Sequence, residues 1–354
     1  MTDSLENNLI KSTLWLERLR PETLAHMESN FITAQSEILA FISTTKNQKL
    51  INAKIKELLN EAFSTFETIL EEDIENITAL TYNATGAIMA TYVSNDLASS
   101  FKKWEKLENK VQSKILDNNR LLFGSTWAEH KQKALLNASM GLKGAIIKGF
   151  SDGVGIEQIS RDVKTQFGKL NRNNIKSIVR TSMFQAINEA KSESFDFFEK
   201  EITEYYYNSV TDSRTTFRCW GLNNKSSKNK SDIIKLLDFH WNCRATLGVR
   251  TELSDEFDKL DPDRRIVEWN KKTVNHRDNT KSTKFSVDAV KKIPNDASAE
   301  TAFKVFSDAY QKDFLGEGRY NLWKSGKAKF DDMFSISRST PIPLNELKKK
   351  LGIN

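Results

Sequence analysis

The chain has 354 residues, of which 38% are apolar, 28% charged and 10% aromatic, and its formal net charge is +6. This composition is typical of a soluble globular protein and excludes a largely disordered chain or a collagen-like rod. At roughly 100–200 residues per domain, the length predicts two or three compact units. Two cysteines are too few for a disulfide framework and suit a reducing cytosol.

The chain is not expected to carry an export signal or a membrane span. The first six residues lack both the positive region and the apolar region of a secretory signal. The most apolar window, residues 77–93, is interrupted by Asn83, Thr85 and Gly86 and is shorter than the roughly 20 apolar residues that a spanning helix needs.

Charge is distributed unevenly along the chain. Residues 1–100 carry 7 basic and 14 acidic side chains, a net charge of −7, whereas residues 101–250 carry 26 and 16, a net charge of +10. Residues 251–354 carry 20 and 17, a net charge of +3. A basic surface attracts polyanions by a Coulomb force that salt screens, so different partners are indicated for the acidic and basic parts. The alternative, that both are ordinary solvated surfaces, stays open.

Residues 1–118 predict a helical N-terminal arm. An early helical stretch is interrupted by Pro21, and residues 101–122 show a further helical pattern. Between residues 48 and 74, apolar residues recur at a spacing of three or four, which places them on one stripe of a helix. This stripe consists of Ile51, Ile55, Leu58, Leu59, Phe63, Phe66, Ile69 and Leu70.

Residues 119–252 predict a core domain made of helices and a small antiparallel sheet. Ser125 or Thr126 can cap one helix, and further helices are expected from Ile156 and after Asn171. The glycine-rich residues 149–155 predict a turn between helices rather than a phosphate-binding loop, because no strand pattern precedes them and no Gly-Lys-Ser/Thr follows. The sheet is expected from two segments rich in β-formers, residues 204–210 and 245–250.

Two polar segments interrupt the predicted elements. Residues 223–231 contain no apolar side chain and are expected to form an exposed mobile loop. Residues 253–292 are interpreted as a polar linker, and residues 293–354 as a C-terminal helical segment that ends in a short helix over residues 345–351. The predicted fold class is therefore α+β and predominantly α-helical.

The side chains best suited to chemistry lie late in the core domain. His240 and Cys243 are three positions apart, a spacing that suits a shared metal ion, and Cys219 can approach from across the polar loop. Three ligands make only a partial zinc site, whose fourth position would need Asp212 or water. Because no CxxC pair accompanies them, a packed Cys/His pair without a metal is favoured. A thiol hydrolase needs an orienting group and an oxyanion donor that the sequence does not reveal. Asp212 and Arg214 favour a fixed ion pair over an acid/base couple.

The order and spacing of these residues resemble the phage Mu F-like minor head proteins, also called the phage head morphogenesis family. Upstream, the helix at residues 155–162 is similar to the family, and so are the tail segments 314–320 and 343–347. The resemblance covers about residues 120–250 and 300–350, and the arm matches only in being helical. The family motif residues, interpreted as structural, are Arg180, Thr181, Asp212, Arg214, Thr215, Cys219, His240, Asn242, Cys243 and Arg244.

Three departures from the family pattern bear on metal binding and on the motif. Many members have Arg-Thr-Glu where this chain has Arg-Thr-Ser, with Ser182 in place of the glutamate. Many also have a CxxC whose first cysteine is Thr216 here, and a Cys-Arg-Cys whose last cysteine is Ala245 here. The full motif implies a metal held by Cys and His ligands. Because two of these thiols are missing here, we expect no metal or other cofactor and a domain held by packing and hydrogen bonds. The residual candidate ligands are Cys219, His240 and Cys243.

The resemblance implies a structural minor head protein of a tailed bacteriophage rather than an enzyme. It would assemble in the host cytoplasm and lie in the virion, inside the capsid near the portal, with roles in head morphogenesis and in DNA packaging or ejection. Expected partners are the portal protein, possible further contacts with the major capsid or scaffolding protein, and packaged double-stranded DNA bound without sequence preference. The apolar stripe of the arm would dock on the protein partner. Residues expected to face DNA are Lys225, Lys228, Lys230 and Arg250.

Two alternatives remain open. One is a nucleotide- or nucleic-acid-processing enzyme that uses Asp212, Arg214, His240 and Cys243. The other is a general DNA-binding protein, whose binding would weaken with salt and with neutralisation of the lysines at residues 225–230.

Overall fold

The computed structural model describes residues 5–18, 20–92, 121–122, 125–170, 176–237, 240–254, 263–275, 281–294, 297–334 and 341–353. Its fold is α+β and predominantly α-helical, as predicted. The helix predicted over residues 101–122 lies outside the described residues except for its last two positions. Those two form a short strand, β1 (Leu121–Leu122), which pairs antiparallel with β2 (Ser125–Thr126). Among the described residues, we find no helix with the length and apolar character needed to cross a membrane.

Three helices form the N-terminal segment: α1 (Leu5–Arg18), α2 (Arg20–Thr44) and α3 (Gln48–Thr91). Pro21 lies in the first turn of α2, where a missing N–H costs no helical hydrogen bond. The side chain of Asn47 starts α3 by accepting hydrogen bonds from the backbone N–H groups of Lys49 and Leu50. At 44 residues, α3 is about 66 Å long, and it continues well beyond the predicted residues 48–74.

The next three helices are α4 (Trp127–Ser151), α5 (Ile156–Lys169) and α6 (Lys176–Phe197), close to the predicted positions. The glycine-rich segment between α4 and α5 is a turn, as expected. Within it, Gly153 has a φ of 66°, in the left-handed region that glycine adopts at little cost.

A three-stranded antiparallel sheet follows, with β3 (Ile202–Asn208) in the centre, β4 (Ser226–Ser227) on one side and β5 (Thr246–Thr251) on the other. The sheet predicted from the two β-rich segments is thus confirmed. Two short helices, α7 (Phe217–Leu222) and α8 (Lys230–Ile234), lie between these strands in the chain.

The expectation of an exposed mobile loop at residues 223–231 is wrong in part. Asn223 is buried, and its side-chain oxygen accepts a hydrogen bond from the backbone N–H of Ser209. Asn224 has a φ of 62° and donates its backbone N–H to Tyr207 O at 2.9 Å, while Tyr207 N–H donates to Lys225 O at 2.8 Å. The Asn223 side chain satisfies a buried backbone N–H, and the other two hydrogen bonds beside β3 are made by the backbone.

A long hairpin occupies most of the segment interpreted as a polar linker, residues 253–292. Its strands, β6 (Asp263–Asn275) and β7 (Lys281–Pro294), pair antiparallel along their whole length. Ile266 and Ile293 are buried at the base of the hairpin. A polar sequence can form such a ribbon because backbone pairing does not require apolar side chains away from the base.

The C-terminal segment is helical, as predicted. Its elements are α9 (Ala299–Lys304), α10 (Asp308–Leu315), α11 (Glu317–Lys324), a short 3-10 helix (Phe330–Met333) and α12 (Leu344–Lys350). Trp220 of α7 is fully buried against this segment, with its ring edge-to-face with Phe303 at 5.5 Å and with Phe306 at 5.7 Å. The segment therefore packs on the sheet domain through the helix that carries Cys219.

The buried apolar residues form three cores. The first lies between α2, α3, α4, α5 and α6, and the second joins α1, the end of α3 and α6 to the sheet. The third contains Trp220, the base of the hairpin and the C-terminal segment. Seven of the eight residues of the predicted docking stripe are buried in the first core and Ile69 packs against it, so that stripe is not a docking surface. It stabilises the fold itself because burying it against neighbouring helices removes apolar area from water.

Candidate functional site

A buried ion pair joins the two halves of the family motif. Arg244, just before β5, donates to Asp212 from Nη1 to Oδ2 at 2.9 Å and from Nη2 to Oδ1 at 2.5 Å. The side chain of Asp212 is 5% exposed and that of Arg244 is 12% exposed. Burial favours the neutral acid, but the guanidinium of Arg244, helped by Arg214, holds the pKa of Asp212 below its ordinary value.

The loop that carries Asp212 is closed by its own hydrogen bonds. The backbone N–H of Arg214 donates to Asp212 Oδ1 at 2.9 Å, and the backbone N–H of Asp212 donates to Thr215 Oγ1 at 3.0 Å. The hydroxyl of Thr215 donates in turn to the carbonyl of Val210. Ser213 N–H then reaches the hairpin, at Val267 O. Asp212, Arg214 and Thr215 thus form a fixed element, but the closest ion pair of Asp212 is with Arg244, whereas Arg214 Nε lies 3.5 Å from Asp212 Oδ2.

The turn before β5 is anchored to α6. Asn242 has a φ of 60°, which asparagine tolerates better than most residues. Its backbone N–H donates to Thr181 Oγ1 at 3.0 Å, and its side-chain amide donates to Ser177 Oγ at 3.2 Å. The motif residue Thr181 is therefore a structural acceptor, whereas its neighbour Arg180 is exposed on α6.

Two thiols, one imidazole and two hydroxyls converge beside this ion pair. The sulfur atoms of Cys219 and Cys243 are 3.8 Å apart, and His240 Nε2 is 2.9 Å from Cys219 Sγ. Tyr207 Oη lies 3.2 Å from Cys219 Sγ, and Thr216 Oγ1 lies 3.0 Å from His240 Nε2. Both thiols are buried and His240 is half-buried. The cluster joins α7, β3 and the turn before β5.

The pKa values of the two thiols in this cluster are shifted in opposite directions. The hydrogen bond between them is the main cause: with the hydroxyls of Thr216 and Tyr207, it overcomes burial and lowers the pKa of Cys219 to about 7. The same hydrogen bond, together with burial, raises the pKa of Cys243 well above its usual range. Burial opposes a charged imidazole, but interactions with Cys243 and with the Trp241 carbonyl raise the pKa of His240. Of the two thiols, that of Cys219 therefore loses its proton more readily.

A small pocket opens beside the thiols. Its volume is about 20 Å³, which is room for roughly one water molecule. Thr216, Cys219 and His240 line it together with Arg214 and Arg244.

The donor set fits three of the four positions of a tetrahedral metal site. The ligand atoms of Cys219, His240 and Cys243 all lie within 4.8 Å of one another. Thiolate and imidazole are ligands that zinc binds, normally in a tetrahedral arrangement. Thr216 and Ala245, which replace thiols of the related motif, both line the adjoining pocket rather than lying elsewhere in the fold.

The four cations expected to face DNA differ in their surroundings. Lys225 and Lys228 are exposed. Lys230 forms an ion pair with Asp196, and Arg250 binds Glu204 at 2.8 Å. Arg250 also lies over the ring of Tyr206, with 5.1 Å from Cζ to the ring centroid. Two of the four are therefore engaged within the protein.

Sequence reasoning missed two buried polar residues of α6. Asn188 bridges to β5, donating to Ala245 O at 3.1 Å and accepting from Leu247 N–H at 3.2 Å. Lys191 is fully buried and donates to Thr13 Oγ1 of α1 at 2.7 Å. A weak signal was present, because both positions lie on the helix face of the buried Phe184 and Phe195.

Comparison with known proteins agrees with the motif. Residues 141–248 match the model of a family described as Phage Mu protein F like protein. No curated protein and no solved structure matches the chain significantly. The matched range runs from α4 to β5 and contains every motif residue described above. The chain therefore carries a phage Mu F-like region over residues 141–248.

Proposed function

We propose that this chain is a structural minor head protein of a tailed bacteriophage, bound to the portal inside the capsid and acting in DNA packaging or ejection. The observation that carries the proposal is the match of residues 141–248 to the Mu F-like family. Within that range, the ion pair of Asp212 and Arg244 and the anchored turn at Asn242 hold the motif as a fixed scaffold.

The geometry favours this structural role over a nucleic-acid-processing enzyme. A general base must reach its substrate, yet the side chain of Asp212 is 5% exposed and both its carboxylate oxygens accept from Arg244. A nucleophile needs access to its substrate, yet Cys219 is 3% and Cys243 is 1% exposed. We expect no turnover when the purified chain is incubated with nucleotides or with single- or double-stranded DNA. Turnover that Asp212→Asn abolishes would favour the enzyme instead.

A pair of apolar side chains on α4 offers a contact for a protein partner. Leu136 is 58% exposed and Met140 is 62% exposed, and they lie four residues apart on the same helix face. Exposed apolar side chains that adjoin each other are typical of protein contacts. In the proposed assembly, this pair contacts the portal protein.

Incorporation into particles tests the portal contact. Mass spectrometry of purified virions should detect the chain, and the double variant Leu136→Asp, Met140→Asp should lower its copy number at least about threefold, because two buried charges oppose association. Asn137→Asp is the matched control, since Asn137 is an exposed polar residue of the same helix. Purified virions without this chain would refute the proposal, and unchanged incorporation of the double variant would refute the portal contact.

The proposed contact with packaged DNA rests on Lys225 and Lys228. Both are exposed and neither forms an ion pair within the described part of the chain. Removing one lysine that binds a phosphate should lower the slope of log affinity against log salt by about 1. Replacing both lysines by Gln should therefore reduce the slope by about 2, measured by fluorescence anisotropy with duplex DNA of two unrelated sequences. An unchanged slope would show that DNA is bound elsewhere or not at all.

A further inference from the structure

The base of the hairpin formed by β6 and β7 is fixed on the C-terminal segment. Ile266 and Ile293 are buried there in the third core. Glu268 accepts hydrogen bonds from the backbone N–H and the hydroxyl of Ser307 and forms an ion pair with Lys291 at 3.4 Å. The inner end of this two-stranded ribbon is therefore held by both apolar and polar contacts.

Beyond this base lies the outer hairpin, which we define as residues 270–275 and 281–286. Its two strands pair residue by residue without a register shift, and at about 3.4 Å per residue they make a ribbon about 20 Å long. Within the described part of the chain, neither strand of the outer hairpin makes a backbone hydrogen bond to an element other than its partner strand. The outer hairpin is therefore a ribbon with two open edges.

Charge is segregated along the hairpin. The three acidic residues of its strands, Asp263, Glu268 and Asp288, all lie outside the outer hairpin. Asp288 stands at a β-bulge, where the register shifts between Glu268 and Trp269. The outer hairpin itself contains no acidic residue and four lysines, which are Lys271, Lys272, Lys281 and Lys284. The segment furthest from the third core thus carries only positive charge.

The register places two of these lysines directly opposite each other. Lys272 of β6 pairs with Lys284 of β7, and Lys272 is exposed. Like charges at directly opposite positions destabilise a pair of strands. An anion bound beside both lysines would remove this repulsion, so the ribbon is more stable with an anionic partner than without one.

The order of the lysines favours a groove over a flat surface as the binding site on that partner. Consecutive residues of a strand alternate between its two faces, so Lys271 and Lys272 belong to opposite faces of the ribbon. A flat acidic protein surface would meet only one face. The major groove of B-DNA is about 12 Å wide and admits a two-stranded ribbon, and each of its two walls carries the phosphates of one strand.

We propose that the outer hairpin is a DNA-binding arm, which enters the major groove of duplex DNA and contacts phosphates on both walls through its four lysines. Such contacts position a protein on the duplex without reading its sequence. The inference rests on the proposed contact of the chain with packaged DNA. It assigns that contact to a segment apart from Lys225 and Lys228, which flank β4, so the two assignments can fail separately.

The salt dependence of DNA binding tests the proposal on the purified full chain. Fluorescence anisotropy with a duplex should give a log affinity that falls linearly with log salt. The double variant Lys272→Gln, Lys284→Gln should lower this slope by about 2, because two phosphate contacts are lost. The double variant Lys46→Gln, Lys49→Gln is the matched control. Both of these lysines are exposed near the start of α3, and the change in net charge is the same, yet the slope should not change.

The two single variants Lys271→Gln and Lys272→Gln test the groove. Because a groove surrounds the ribbon, the two residues should contribute equally, and each substitution should lower the slope by about 1. An effect of one substitution without the other would show that only one face of the ribbon binds, which would overturn the assignment to a groove.

Chemical acetylation of lysine, followed by mass spectrometry, locates the contact without any variant. Duplex DNA should slow the acetylation of all four lysines of the outer hairpin severalfold, whereas Lys46 and Lys49 should react at the same rate with and without DNA. Polyglutamate at the same concentration of charge should protect the four lysines much less, because a flexible chain does not present two rigid walls of charge. Equal protection by polyglutamate would indicate an acidic protein as the partner and would overturn the proposal.

The binding data also separate this proposal from the broader DNA contact. A slope that Lys272→Gln, Lys284→Gln leaves unchanged, but that replacement of Lys225 and Lys228 lowers, would overturn the role of the outer hairpin and keep the DNA contact. A wild-type chain without measurable affinity for duplex DNA would overturn both. Neither result bears on whether the chain is incorporated into virions, which mass spectrometry of particles measures independently.

Discussion

Replacing Lys191 by methionine should remove a pH dependence of stability that the wild-type chain has above about pH 7. Lys191 of α6 is fully buried, and its Nζ donates to Thr13 Oγ1 at 2.7 Å, Leu9 O at 3.3 Å and Thr246 Oγ1 at 3.5 Å. Burial removes the hydration of the ammonium group and lowers the pKa of Lys191 from 10.5 to about 7. The side chain thus links α1 to the sheet through hydrogen bonds to a backbone carbonyl and two hydroxyl groups, all of them neutral.

The sign and size of the effect follow from the two pKa values. Between pH 7 and pH 10.5, Lys191 is mostly neutral in the folded chain and protonated in the unfolded chain, so unfolding takes up a proton. Stability therefore rises with pH across this window, by about 1.4 kcal/mol per pH unit and by about 5 kcal/mol in all. Below about pH 7, both states are protonated and the penalty of burying the charge is constant.

Thermal unfolding of wild type and Lys191→Met, followed by circular dichroism, measures this difference. From about pH 7 to about pH 9.5, the free energy of unfolding of wild type should gain about 3 kcal/mol relative to the variant, equivalent to several degrees in Tm. Titration of other groups cancels in the comparison, and Lys200→Met, at an exposed position near the end of α6, is the control. Parallel pH curves for wild type and Lys191→Met would refute the reasoning.

Four further substitutions address other parts of the fold. Asp212→Asn should destabilise the chain by about 3 kcal/mol, because it leaves a buried guanidinium without its anion; an unfolding midpoint within error of wild type would contradict this. Gly248→Ala should lower the free energy of unfolding by about 1–3 kcal/mol, since the added Cβ would lie 2.4 Å from Cζ of the buried Tyr206. Gly144→Ala should raise it by about 0.5–1 kcal/mol, because nothing lies within 4 Å of the added Cβ. Urea unfolding measures both changes. Trp220→Ala should cost about 3–5 kcal/mol and expose the C-terminal segment to limited proteolysis; an unchanged digestion pattern would show that the third core does not depend on this ring.

Periodic patterns predicted the elements, and their limits are visible in two places. The stripe from Ile51 to Leu70 correctly predicted a helix, but periodicity does not say what covers an apolar face. Here the cover is internal, with Phe31 of α2 edge-to-face on Phe63 at 5.2 Å. The hairpin at residues 263–294 was missed because its polar composition indicates only that few of its side chains are buried in a core. Composition does not show whether two segments pair through backbone hydrogen bonds.

The candidate site could be assembled from the sequence only in outline. Residue types and order brought Asp212, Cys219, His240 and Cys243 to attention, and the fold places them together. The separation of the two sulfur atoms, 3.8 Å, could not be predicted, because it depends on how α7 packs beside the turn before β5. The burial of Lys191 had only a weak signal, its place on the helix face of Phe184 and Phe195, because a lysine in a helix is normally solvated and its cover comes from α1, some 180 residues earlier.

The length of α3 has a consequence for how the molecule responds to load. Because this helix runs unbroken from Gln48 to Thr91 and contributes side chains to the first and second cores, it acts as a common spine. Neither core can turn or pull away from the other without breaking consecutive helical hydrogen bonds. The two cores should therefore unfold as one cooperative unit, and a partner that binds at either end of α3 should reduce the local opening of both cores.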